Sequence, residues 1–159
     1  MPRGMSRGTV DVLESVSRSP AARHVTDWTR RLLAAAGAGD ASVSVLLCGD
    51  GRIRTLNREF RGKDRATDVL SFPSGEPGAS RGIGFLGDVV LAVPSAARQA
   101  RGHGHALARE VQILLAHGLL HLLGHDHETD DGTMFRLQRE LVGSVFGPGP
   151  DGVPPEEPA

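Results

Sequence analysis

Three histidines set the chemical problem posed by this chain. His117 and His121 stand four residues apart and His127 follows six later, in the run His117-Gly118-Leu119-Leu120-His121-Leu122-Leu123-Gly124-His125-Asp126-His127. At a spacing of four, two helical side chains share one face, one turn apart. Val111, Ile113, Leu114, Leu115, Leu119, Leu120, Leu122 and Leu123 make that helix apolar nearly all round, which is the pattern of a buried helix. Buried imidazoles cost free energy unless their nitrogens find partners, and a metal ion is such a partner. Gly124 can take the left-handed backbone that ends a helix and turns the chain back, so His127 can approach the same point. Three imidazoles with a fourth position open are the donor set of a catalytic zinc site, not of a closed structural one. Zinc in such a site lowers the pKa of water to about 7 and yields a nucleophile at neutral pH. The expectation is one Zn2+ per chain, on His117, His121 and His127.

The same spacing fits the H-E-x-x-H-x-x-G-x-x-H ligand pattern of metzincin proteases, except that Gly118 stands where their general-base Glu would be. The metal cage is therefore expected without the protease's base. Glu110, seven residues before His117, falls on the same helical stripe. It is a candidate catalytic base or a carboxylate behind the ligands, and equally a buried-edge salt bridge. His125 lies between the ligands and is expected at the rim of the pocket. His24, His103 and His105 read as surface residues.

A second feature is basic. Arg52, Arg54, Arg58, Arg61, Lys63 and Arg65 supply six of the 18 basic residues within a short segment, and Lys63 is the only lysine. Such a cluster can hold phosphates, with Arg58, Arg61 and Lys63 as substrate contacts. Its bland counterpart is a solvated helix face. Arg61 stands apart because it ends a helix beside Gly62, at the mouth of a turn into the Thr67–Phe72 strand. Phe60 and Phe72 read as core, which leaves little aromatic surface for base stacking.

The elements needed to hold these groups are legible in outline. Strands are predicted at 9–12, 42–48, 67–72 and 84–93, the last with a bulge near Gly87. Helices are predicted at 20–36, 52–60 with Ile53, Leu56 and Phe60 inward, 94–101, 105–123 and 129–146. Asp50-Gly51 reads as a turn, Ser74 to Gly82 as a loop, and Gly102 and Gly104 as breaks. The fold class that follows is α+β: one domain, with a small mixed β-sheet packed by helices and a central buried helix carrying the histidines. Residues 1–8 read as a flexible arm, 9–146 as the domain, and 147–159 as a dispensable disordered tail. Either Met1 or Met5 could start the protein. At 39% hydrophobic and 23% charged, the 159 residues can bury a core. A formal net charge of −1 provides no overall field for nucleic acid, so RNA binding would need a local patch. Cys48 is the lone cysteine, which rules out an intrachain disulfide and fits a reducing cytoplasm. No apolar stretch approaches the length of a membrane span.

These motifs carry a resemblance. HGLLHLLGHDH resembles the HGxLHLxGYDH signature of the YbeY family of bacterial endoribonucleases. Leu56 to Asp64 with Thr67 to Pro73 resembles that family's second signature, and Gly87-Asp88-Val89 its third. The resemblance runs from about Ser42 to Phe146, with His125 in place of the family's usual Tyr and a short, Gly-rich segment after Pro73. It implies a zinc-dependent, single-strand-specific endoribonuclease acting in ribosomal RNA maturation at the small-subunit 3′ end and in ribosome quality control. It implies zinc on His117, His121 and His127, and a catalytic or RNA-contacting role for Arg61. The implied partners are ribosomal RNA, the ribosome, small-subunit assembly proteins and an Era-type GTPase. Two readings compete with the nuclease: a hydrolase of another bond, such as a peptide, and a non-enzymatic ribosome-assembly factor whose zinc is structural, with Asp126 as a fourth ligand.

Overall fold

The computed structural model describes residues 8–14, 22–76 and 82–149. Four strands and five helices follow in the order β1 (Val10–Glu14), α1 (Ala22–Ala35), β2 (Ser42–Cys48), α2 (Asp50–Arg61), β3 (Val69–Pro73), β4 (Phe85–Ala92), α3 (Val93–His103), α4 (Leu107–Leu122) and α5 (Thr133–Phe146). The strands form one mixed sheet in the order β1-β2-β4-β3. β1, β2 and β4 are parallel, and β3 runs antiparallel along β4 at the edge. This is the expected α+β domain with a small mixed sheet.

The sheet carries a large core on one face and a smaller one on the other. Val43, Val45, Leu47, Val89 and Leu91 pack with α1, α4 and α5 in the larger core. Leu70, Val90 and Ala92 pack with Ile53 of α2 on the other face. α4 lies within the larger core, with ten of its residues buried, from Glu110 to Leu122.

Several boundaries differ from expectation, each for a local reason. The expected helix start at Pro20 lies outside the described residues, as do the arm at 1–7 and positions 150–159. Asp50-Gly51 is the first turn of α2, and the Asp50 carboxylate accepts bonds from Ser95 Oγ at 2.7 Å and Arg98 Nη2 at 2.6 Å, tying α2 to α3. Gly102 does not break α3; Gly104, at φ 71°, ends it. α4 begins at Leu107, so His105 lies in the preceding turn. α5 starts later than expected because the Asp130 carboxylate receives the N–H groups of Gly132 and Met134, both at 2.9 Å. Phe60 does not point inward: it is 67% exposed, edge-on to Phe72. At the end of the described residues, Arg109 Nη1 donates to the Gly147 carbonyl at 2.9 Å.

Two glycines set how closely the layers approach. The β4 bulge sits where expected, with Ser42 opposite Phe85 but Ser44 opposite Asp88. Gly87 there has φ 135°, and a Cβ would lie 2.2 Å from Phe72 O, so only glycine fits. Gly118 lets α4 press onto the sheet: a Cβ would stand 2.8 Å from Val89 Cγ1, and Ser71 Oγ donates to the Gly118 carbonyl at 3.1 Å. The position after the first histidine therefore faces packed strands, with no room for a glutamate. Gly118→Ala should destabilise the fold by about 1–3 kcal/mol through overpacking, despite the better helix propensity of alanine. Denaturant unfolding measures this, and an unchanged or raised midpoint contradicts the close packing.

Candidate metal centre

The buried helix delivers His117 and His121 side by side, and its ending delivers the third ring. Gly124 takes φ 102°. Its N–H donates to His121 O at 3.0 Å and the N–H of His125 to Leu120 O at 3.0 Å, the paired bonds of a left-handed helix stop. The chain reverses there and places His127 against its predecessors. Ring centroids are 4.8 Å apart for His117–His121, 5.1 Å for His117–His127 and 5.2 Å for His121–His127. One nitrogen from each ring lies within 4.8 Å of the others.

A metal fits this arrangement on two further observations. His127 Nδ1 is buried and has no hydrogen-bond partner. His117, 5% exposed, has its Nδ1 2.7 Å from Gln138 Oε1. The amide oxygen only accepts, so Nδ1 carries the proton and Nε2 is left bare for a ligand bond. Burial drives the His117 pKa down from 6.5 to about 4, with His121 and His127 adding to the effect and Gln138 opposing it. Burial also lowers His121, with help from His127 and from the Arg61 guanidinium. Neutral imidazoles are the form that binds metal.

Among the described residues no fourth His, Cys, Asp or Glu joins the group. Asp126 is exposed, and its Oδ1 accepts the Glu128 N–H at 3.0 Å, capping the local turn. The open position faces a cleft of about 500 Å³. Arg61, Lys63, Arg65, Asn57 and Ser71 line it together with the three histidines, His125, Asp126 and Glu128.

The remaining predicted residues divide. Arg61, Lys63 and His125 reach the cleft. Arg58 does not line it; its Nη1 is 3.8 Å from the Asp64 carboxylate, which also accepts from Arg54 Nε at 2.9 Å. Glu110 does not line it either. Its Oε1 is 2.6 Å from His105 Nε2 and 3.3 Å from His103 Nδ1. Of the two readings of Glu110, the buried-edge pairing is the one found. The surface reading of His105 is overturned with it, its side chain being 2% exposed, whereas His103 is exposed as expected. His24 is exposed and stacks on Trp28.

Sequence reasoning missed Gln138 and Phe135, both on α5, and named Arg65 only as a member of the basic cluster. Gln138 is 2% exposed, midway between buried Met134 and Val142 at helical spacing. A lone polar residue on an apolar stripe was the available signal. Phe135 packs on the His117 and His127 rings at 5.9 and 5.1 Å. Arg65 is oriented by its own backbone, whose carbonyl accepts from buried Asn57 Nδ2 at 2.9 Å.

The structure thus defines a single α+β domain with three imidazoles gathered beside a cleft, a group that could hold a metal ion. The comparisons are narrower. The family described as Endoribonuclease YbeY matches residues 12–145, and the chain belongs to that family. An Endoribonuclease YbeY of Anaeromyxobacter sp. (strain Fw109-5) is 54% identical over 124 residues, 77% of this chain and 64% of the relative. One from Thermus thermophilus is 46% identical over 136 residues, 82% of this chain and 98% of the relative. The chain thus spans just under two thirds of the length of the Anaeromyxobacter relative and nearly all of the Thermus one. The solution structure of a Thermotoga maritima protein shares the fold at TM-score 0.64 and 30% identity, over 87% of this chain and 90% of that one.

Gln138→Ala should weaken metal binding at this site by about 10–100-fold while the fold persists. Competition against a chromogenic chelator measures it, and unchanged affinity removes Gln138 from the centre. The metal-free protein should also be acid-sensitive in a defined window. The unfolded chain protonates His117 near 6.5 and the folded chain only near 4. Stability is thus insensitive to this group above about pH 6.5 and falls as pH drops toward about 4. Melting temperatures of metal-free wild type and His117→Asn across that window test the assignment; equal slopes refute it.

Proposed function

We propose that this chain is a zinc-dependent endoribonuclease that cleaves single-stranded RNA in the maturation of small-subunit ribosomal RNA. The observation that carries the reading is the cleft itself, in which Arg61, Lys63 and Arg65 face the open position of the three-histidine centre. In a chain of net charge −1, these three cations in the cleft are a local patch that can favour a polyanion there. Zinc, when bound by His117, His121 and His127, supplies electrophilic activation of the phosphodiester and of water.

The chain's own groups do the rest. Arg61 offers a planar fork to two non-bridging phosphate oxygens as charge builds on them. Lys63 and Arg65 hold flanking phosphates, and His125 stands at the rim where the family carries Tyr. Arg58, committed to Asp64, stays outside the set. Glu110 is engaged by two imidazoles and is not the general base of this reading. The absence of room for a glutamate at Gly118 weighs against peptide hydrolysis. The lack of a fourth protein ligand among the described residues weighs against a purely structural metal. No described helix is long and apolar enough to cross a membrane. A cytoplasmic site of action, with ribosomes, small-subunit assembly proteins and an Era-type GTPase as partners, follows from the family reading.

Arg61→Lys keeps the charge and loses the fork. It should fold and bind zinc normally yet cleave single-stranded RNA on the order of a hundredfold more slowly. Arg58→Lys should cleave at the wild-type rate. Single-turnover cleavage at matched zinc content and fixed salt tests both. Wild-type cleavage by Arg61→Lys removes Arg61 from the mechanism, and zinc-independent or absent cleavage in all three proteins returns the chain to an assembly-factor role.

A further inference from the structure

We propose that His103, His105 and Glu110 form a second metal site, for a divalent transition ion of the zinc type, in the turn between α3 and α4. The three residues come from a segment fixed by backbone bonds. His103 ends α3, and Gly104 turns the chain at φ 71°. The His105 N–H then donates back to Ala100 O at 3.1 Å, and Glu110 stands in the first turn of α4. No loop closure is needed to bring the donors together.

The donor atoms are gathered, and one pair already stands at ligand spacing. All three lie within 4.8 Å of one another. Two ligands about 2.0–2.1 Å from a tetrahedral metal stand about 3.3 Å apart. His103 Nδ1 and Glu110 Oε1 are 3.3 Å apart. His105 Nε2 and Glu110 Oε1, at 2.6 Å, share a hydrogen bond that a metal would replace. Two imidazoles and a carboxylate form a known set for zinc and related ions, with a position left for solvent. The His103 side chain, 33% exposed, gives access, while those of His105 and Glu110 are 2% and 3% exposed. Displacing the His105–Glu110 bond makes this site the weaker of the two, so it fills as a second equivalent.

The alternative for the same residues is a metal-free brace between the helices, and metal titration separates the two. Metal-stripped wild-type protein is titrated with Zn2+ by calorimetry and with Co2+ by visible absorption. Two equivalents are expected for wild type and one for His117→Ala/His121→Ala. His103→Ala, which leaves the His105–Glu110 bond in place, should lose the second equivalent and keep the first. Glu110→Gln should do the same, with circular dichroism confirming that each variant is folded. A wild-type chain that saturates at one equivalent, or a His103→Ala variant that still binds two, overturns the site. None of these readings depends on RNA cleavage, so failure of the nuclease assignment leaves the test intact.

Discussion

Helix α4 is buried on nearly every side and yet carries ionisable rings, and the constraint that those rings must be satisfied shapes everything around it. His117 is the extreme case. Its surroundings hold it neutral, its Nδ1 proton goes to Gln138, and its Nε2 is left for a metal. That hydrogen bond reaches across to α5, so the packing of α5 on α4 and the orientation of the first ligand are one requirement. Phe135, on the same helix, closes the apolar side of the rings. The helix stop at Gly124 is the complementary constraint, since without a left-handed residue there His127 could not return.

The cleft follows from how α4 meets the sheet. Gly118 allows contact with Val89 and Ser71. Edge strand β3 then packs on α4, and the segment leading into it contributes Lys63, Arg65 and Thr67 to the cleft lining. That segment is held by polar residues that do no chemistry. Buried Asn57 binds the Arg65 carbonyl. Asp68, 4% exposed, accepts the Val69 N–H at 2.8 Å and Gln99 Nε2 at 2.9 Å. Asp64 gathers Arg54 and Arg58. The stretch that resembles the family's second signature thus divides into residues that hold the segment and residues that line the cleft, Arg61 and Lys63, with Arg65 lining it from between the two parts.

This division explains what could be read in advance. Four-residue spacing on an apolar helix, followed by glycine, is a local signal, so the metal centre was legible from residues 111–127 alone. The sheet was legible because its strands are β-branched and bounded by turns. The misreadings share another cause. Whether Phe60 points inward, whether Arg58 is free, and whether His105 is exposed all depend on partners distant in the chain or on a boundary displaced by a few residues. Phe60 follows the inward spacing of Ile53 and Leu56, but α2 ends at Arg61 beyond the edge of the core. Gln138 lay hidden for the same reason: its partner is 21 residues away, on another helix.

The central claim is that α4 and its left-handed stop build a three-imidazole metal centre whose first ligand is fixed by Gln138. A crystal structure of the zinc-loaded protein, with anomalous difference density collected at the zinc edge, tests it most directly. The account predicts a peak about 2.0–2.1 Å from His117 Nε2 and from one nitrogen each of His121 and His127, with His117 Nδ1 still bonded to Gln138. No peak among those three rings, or zinc bound through His117 Nδ1 with Gln138 displaced, would contradict it.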